Sequence, residues 1–493
     1  MAEFIESPRL LLPLAITMLA PLAIWRFGAR PNQREGVSLL AGLAAFACVC
    51  WLAPAVLAGK VWMWTMFTLL PGVTVTFCAD GLSLVFALVA CFLWMFATSY
   101  NIGYMRTLNE HAQTRYYFCF AVAIFGAVGV AFSGNVFTLY LFYELITIFT
   151  YPLVAHHQDE EGFSGARKYM VYLMGSSKLF LLPAMVLTYV LAGTLDFNLS
   201  DVSRGIFPPD ANPTLVSVTY FLFLFGLAKA AIMPLHNWLP GAMVAPTPVS
   251  ALLHAVAVVK AGVFSLSRVM LSGFGVDLLD KLGLGMVTAY LAAFTIVAAS
   301  VIALTKDDLK ARLAYSTVSQ LSYIILGVAL LTPMAVSGGL THIAHHAFSK
   351  ITLFFAAGAI YVAAHVKKIS LMDGLGRKMP FTFAAFSLAS LSMIGVPPSC
   401  GFASKWMLAG GALQADKMII LIALGASTVL NAAYFTPIIY RAFFKAAPAG
   451  AEHHGGEAPL TMVVPLSVTA LISIYLGLFP ETFLRFVQTF GGY

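Results

Sequence analysis

Five lysines of this chain stand inside apolar runs: Lys178, Lys229, Lys260, Lys350 and Lys405. An ionisable side chain at mid-bilayer costs about 2.5–3.5 kcal/mol even on the most lenient insertion scale, so such residues mark ion or proton pathways. One carboxylate, Glu144 in Leu-Tyr-Leu-Phe-Tyr-Glu-Leu-Ile-Thr, lies squarely within such a run, whereas Asp80 falls at a helix start. Taking an amine out of water favours its neutral form, and a nearby carboxylate restores the charged one. A lysine whose acidic partner moves can therefore take up and release a proton.

Lys229 sits in Leu-Ala-Lys-Ala-Ala-Ile-Met-Pro, with Pro234 five positions on and Pro240 beyond. Proline removes a backbone donor and breaks the helix, and exposed backbone is tolerated at membrane depth only beside protein or a water-filled cavity. A broken helix beside a buried charge is a transporter device. Lys405 repeats the pattern, seven residues after Pro398. Between them runs a polar series: His254 and Lys260, then His342, His345, His346 and Lys350. At about 100° per residue the last four fall inside one arc of about 140°, a stripe suited to relaying protons. A rival reading makes His342, His345 and His346 a metal site, but neither a carboxylate nor a cysteine joins them, and no metal is assigned. Lys178, His342 and His345 are secondary candidates. His156 and His157 in one loop, and His453 and His454 in another, read as solvated and receive no role.

Other chemistries find no support. The six cysteines are scattered through apolar stretches, without the paired spacing of thiolate metal or iron–sulfur sites. Walker, Rossmann, zincin and nucleophile-elbow patterns are absent. With 60% hydrophobic and 10% charged residues in 493, a water-soluble globule is excluded. The net charge of +7 comes without a basic run, so it speaks for membrane topology rather than nucleic acid.

The elements that must position these residues are membrane helices. Apolar stretches bounded by charges or Gly/Pro clusters predict fourteen, near 8–28, 36–58, 80–102, 114–132, 134–155, 166–192, 214–244, 248–271, 283–304, 313–332, 335–364, 381–411, 416–442 and 459–480. The irregular span from Val61 to Phe77 predicts a short extramembrane hairpin. Most loop arginines and lysines, among them Arg26, Arg106, Lys168, Arg312, Lys368 and Arg441, fall on one side. The opposite side carries Arg9, Lys60, Arg204, Lys281, Lys417 and Arg485, with Arg268 at a helix end nearby. The positive-inside rule then puts both termini on the non-cytoplasmic side of the cell's inner membrane. The two overlong, proline-broken stretches suggest a structural repeat.

At these residues the chain resembles the proton-translocating antiporter-like family. That family comprises the D-type membrane component of Mrp cation/proton antiporters, the large membrane subunits of respiratory complex I and the membrane arms of energy-converting hydrogenases. The matching stretches are Tyr-Glu-Leu around Glu144, the Lys229 stretch through Trp238, Pro246 to Gly262, Lys306 to Gln320, His346 to Lys350, and Gly-Val-Pro-Pro with Lys405. The resemblance implies an all-α polytopic fold with two inverted five-helix repeats, broken near 214–244 and 381–411. It divides the chain into helices 1–3 (1–112), a first repeat (113–271), a second repeat (272–445) and a final loop and helix (446–493). It implies a Glu144–Lys229 ion pair, Lys260 or His254 as the connection, His346 and Lys350 as the next relay, and Lys405 as the terminal group. It also implies partner membrane subunits, with a redox arm of iron–sulfur proteins or a sodium exchange as the drive. H⁺, with Na⁺ as the further option, is the transported ion, and no cofactor resides in this chain. A non-translocating structural subunit and a proton-coupled inorganic-carbon transporter subunit are the alternatives.

Overall fold

The computed structural model of the protein describes residues 3–447 and 456–490; His453 and His454 lie outside them. Among the described residues eleven helices are long and apolar enough to cross a membrane, from Pro8–Arg26 to Leu460–Leu478. The other three predicted crossings correspond to Leu309–Ala329, made more polar by Lys310, Arg312, Ser316, Ser319 and Gln320, and to two interrupted helices. The outer faces carry large apolar side chains such as Leu40, Val190, Ile419 and Val429, the surface that lipid demands.

Both interruptions occur at the proline-containing stretches. The first helix, Pro213–Gly226, gives way to a 3₁₀ turn at Ala228–Ala230, and Ala231 adopts a left-handed conformation at φ 55° before Trp238–Gly241 resumes the helix. The second, Pro380–Ile394, stops at Gly395 with φ 94° and resumes as Cys400–Gln414. The left-handed conformation favours glycine there, and a Cβ would also lie 2.9 Å from Lys405 Cδ, so the lysine stem would have to shift.

The predicted hairpin is present. β2 (Lys60–Leu70) pairs antiparallel with β3 (Val73–Ala79), and β1 (Glu3–Glu6) adds to β2 in parallel. Two further features differ from the sequence reading. Arg268, expected at a helix end among the extramembrane charges, is fully buried, and its Nη2 donates to Asp80 Oδ1 at 2.7 Å. Asp80 in turn caps the Gly81–Thr107 helix by accepting from the Ser83 amide. His156, read as solvated, is also fully buried. It follows the end of the Val136–Val154 helix and packs against the His111 ring, 4.7 Å between centroids.

At the centre lie two polar-bearing helical stretches. Thr247–Phe274 is enclosed along its whole apolar window. Pro333–Ala364 packs against Gly81–Thr107, Leu309–Ala329, Pro380–Ile394, Cys400–Gln414 and Leu460–Leu478. Short π-helical segments at Ser177–Leu181 and Leu252–Val256 carry Lys178 and His254. Such local departures from α-helical winding are frequent at functional positions.

Candidate functional site

The two breaks place lysines next to freed backbone. A helix leaves its last carbonyls without partners and carries partial negative charge there, a favourable setting for an ammonium. Lys405 Nζ takes that setting, donating to the carbonyls of Met393 at 2.6 Å and Ile394 at 3.1 Å. At the first break, Trp238 Nε1 donates to the Ala228 carbonyl instead. Lys229, fully buried, donates to the Tyr143 carbonyl at 2.6 Å and lies 3.2 Å from the centre of that tyrosine's ring. Backbone contact is close here, since a Cβ on Gly262 would meet Ala230 N at 2.2 Å.

The Glu144–Lys229 ion pair implied by the resemblance is not formed in this structure. Glu144 instead faces Lys178, with Nζ and Oε2 3.0 Å apart, and Lys178 also donates to the Tyr140 hydroxyl. The reason is geometric: the π segment at Ser177–Leu181 turns Lys178 toward the Glu144 helix, while the break at Ala228–Ala230 aims Lys229 at the Tyr143 main chain. Lys178 is exposed on the chain's surface rather than enclosed.

Between the Thr247–Phe274 stretch and the Pro333–Ala364 helix, Lys260 Nζ and His346 Nδ1 lie 2.7 Å apart. The His346 ring is 6.0 Å from that of His342. His342 is bound on both sides, Nε2 to Gln320 Oε1 at 3.0 Å and Nδ1 to the Ser404 hydroxyl at 2.7 Å. Because the Gln320 amide nitrogen donates to the Met393 carbonyl, its oxygen must accept from His342. His342 Nε2 therefore donates to Gln320, and Nδ1 shares the Ser404 hydroxyl with the Gly401 carbonyl, to which that hydroxyl also donates at 3.4 Å.

A second branch meets the same carbonyl. Lys350 Nζ donates to Ser316 Oγ at 2.9 Å, and Ser316 is hydrogen-bonded to Tyr434 Oη at 3.1 Å. Tyr434 in turn donates to Asn431 Oδ1, and the Asn431 amide reaches the Met393 carbonyl at 3.3 Å. Met393 thus joins His342, Lys405 and Lys350 through Gln320, Asn431, Tyr434 and Ser316. Among the described residues no hydrogen bond joins Lys229 to Lys260, and both ring nitrogens of His254 are buried without a partner; that ring lies against Phe354. His345 leaves the stripe. Its ring nitrogens are likewise unpartnered, and its carbonyl accepts from Ser349 and Cys400. Nor do His342, His345 and His346 gather as metal ligands: the metal-capable group among the described residues is Glu110, His111 and His156.

Sequence reasoning missed Tyr143, Ser316, Gln320, Ser404, Asn431 and Tyr434. The signal for two of them was available in Ala-Tyr-Ser-Thr-Val-Ser-Gln, an unusually polar run for a spanning helix that contains Ser316 and Gln320. Asn431 and Tyr434 lie isolated among apolar neighbours, where only tertiary packing reveals their partners.

The profile of a family of membrane segments, described as NADH:quinone oxidoreductase/Mrp antiporter, TM, matches residues 133–431. The chain belongs to this family. The family match contains Glu144, all five lysines and the Met393 network as far as Asn431, and its Arg268 anchors the preceding region through Asp80. A relative named NADH-quinone oxidoreductase subunit N, from Desulforudis audaxviator, is 32% identical over 96% of this chain and 95% of its own length. Among solved structures, a chain of an archaeal membrane-bound sulfane sulfur reductase superposes with a TM-score of 0.87 at 25% identity, covering 98% of this chain and 97% of that one. A chain of the Mrp complex from Dietzia sp. DQ12-45-1b shares the fold, with a TM-score of 0.83 at 21% identity and coverage of 97% and 96%.

Proposed function

We propose that this family member moves protons across the membrane as one subunit of a larger complex. The carrying observation is the 2.7 Å contact between Lys260 and His346, which joins the two broken-helix halves through groups that both exchange protons. Lys229, Lys260 and Lys350 are each fully buried with oxygen, ring or imidazole partners rather than a carboxylate. Retaining three such amines in a membrane interior is costly unless their charge state is used. Glu144, Lys178 and Lys229 serve the first half; His254, Lys260, His346 and His342 lead across; Lys350 and Lys405 serve the second, with His345 beside the path.

In the same reading, residues 113–271 and 272–445 are the two repeats, preceded by 1–112 and followed by 446–493. Both termini face away from the cytoplasm, as the loop charges favour. Adjacent membrane subunits supply the drive, from a redox arm or a sodium exchange. At a separation of ~4 Å and an effective dielectric of ~20, opening one ion pair supplies about 4 kcal/mol, enough to move a proton between neighbouring sites.

The test is proton pumping by membrane vesicles holding the intact complex, with wild type and Lys229→Ala driven by the same reaction. Loss of pumping with the complex assembled supports the reading; unchanged pumping removes it.

A further inference from the structure

We infer that Glu110, His111 and His156 form a binding site for a divalent transition-metal cation of the zinc type, apart from the buried lysine network. Glu110 and His111 come from the loop between Gly81–Thr107 and Gln113–Ala131, and His156 from just beyond the end of Val136–Val154. One ligand atom from each lies within 4.8 Å of the other two. Glu110 Oε2 is 3.5 Å from His156 Nε2 and 3.9 Å from His157 Nδ1. Ligand atoms bound to zinc at ~2.0–2.1 Å stand ~3.3–3.5 Å apart, so the Glu110–His156 spacing already fits and the exposed His111 has the freedom to close the remainder.

A second observation points the same way. His156 is fully buried, its Nδ1 has no hydrogen-bond partner, and its Nε2 faces only the Glu110 carboxylate at 3.5 Å. Buried ring nitrogens are normally partnered, and a metal between Glu110 and His156 would be a closer partner than that long contact. Beside the site opens a cavity of about 460 Å³ whose lining includes Glu110, Asp159, Glu161 and Asp308 against Lys310 and Lys367. Four carboxylates facing two lysines give it a field that draws cations. Two imidazoles and one carboxylate with an open fourth position are a recognised zinc ligand set.

The test uses the purified complex containing the full chain, with a histidine-free affinity tag, dialysed against zinc chloride and analysed for bound metal. Cobalt(II) substitution reports tetrahedral nitrogen and oxygen ligation through its visible bands. Glu110→Gln keeps the shape, and His111→Ala alters an exposed residue, so both spare the fold. The expected result is one zinc per chain in wild type, with affinity lowered at least about tenfold in each variant and the cobalt bands lost. Wild type that binds no zinc overturns the inference. Zinc retained at full affinity by both variants, or abolished by His453→Ala/His454→Ala instead, overturns it equally.

Discussion

Lys178 Nζ lies 3.0 Å from Glu144 Oε2 while 47% of the lysine side chain is open to the outer surface of the chain. A charged group in an apolar setting is costly unless it is paired, and the Glu144 carboxylate is the partner that Lys178 has here. Lys178→Ala leaves the carboxylate without its partner and should lower pumping in assembled complexes; about 1.4 kcal/mol of lost coupling is tenfold in rate. Glu144→Gln/Lys178→Ala, which removes both charges, should assemble better than Lys178→Ala alone. Native gel electrophoresis of membranes and vesicle pumping measure the two effects, and equal assembly of single and double variants would count against the pair.

Gly262 permits the closest backbone approach beside Lys229. Gly262→Ala would set a methyl 2.2 Å from Ala230 N, and overpacking of this kind costs about 1–3 kcal/mol or more. Gly36→Ala adds the same methyl where nothing lies within 4 Å. Thermal unfolding of the purified proteins should show a lower midpoint for the first and no loss for the second.

The Asp80–Arg268 pair is enclosed, with side chains 3% and 0% exposed. Removing one partner strands the other, at a cost of about 3–5 kcal/mol. Arg268→Met should therefore reduce the yield of folded protein sharply, and Asp80→Asn/Arg268→Met should recover part of it. A double variant no better than the single one would show that the two charges act separately.

Asp307, in the loop before Leu309–Ala329, accepts from the Ser370 amide and hydroxyl at 2.9 and 2.7 Å. Slight desolvation of this exposed residue works against its charge, but the Ser370 hydrogen bonds and nearby Lys368 and Arg312 outweigh that and hold its carboxyl below the ordinary range. A carboxyl lowered in the folded state stabilises this loop contact above its unfolded value of about 3.9 and loses that contribution as pH falls through the lower folded value. Hydrogen exchange at Ser370, corrected for intrinsic rates, should accelerate below about pH 4 and be already fast at neutral pH in Asp307→Ala.

Much of this architecture was legible because membrane helices obey a hard rule: apolar runs of about 20 residues are long enough to cross, and Pro234, Pro240, Pro397 and Pro398 announce the breaks. The hairpin around Pro71 and Gly72 was legible for the same reason, its β-formers being too irregular for a spanning helix. Side-chain pairing was less so. Helical angles put His345 on the stripe with His342 and His346, but an arc of about 140° is wide enough for its edge to face another neighbour. Lys178 could be placed near the Glu144 helix, where it lies, but not given a role, because its direction depends on a π-helical register shift that apolar periodicity does not encode. Arg268 looked like a loop charge because its partner Asp80 lies 188 residues earlier.

The Lys260–His346 contact also sets a counting rule. An amine and an imidazole nitrogen held 2.7 Å apart need one donor and one acceptor between them. An amine carries hydrogens whether charged or neutral, so Lys260 can donate to a bare Nδ1 in either form, whereas an Nδ1 that carries the hydrogen needs a neutral Lys260 to accept it. The contact therefore excludes one combination, a charged Lys260 facing an Nδ1–H. A proton reaching either group while the other is protonated on the facing nitrogen must break the 2.7 Å contact or displace the proton already there.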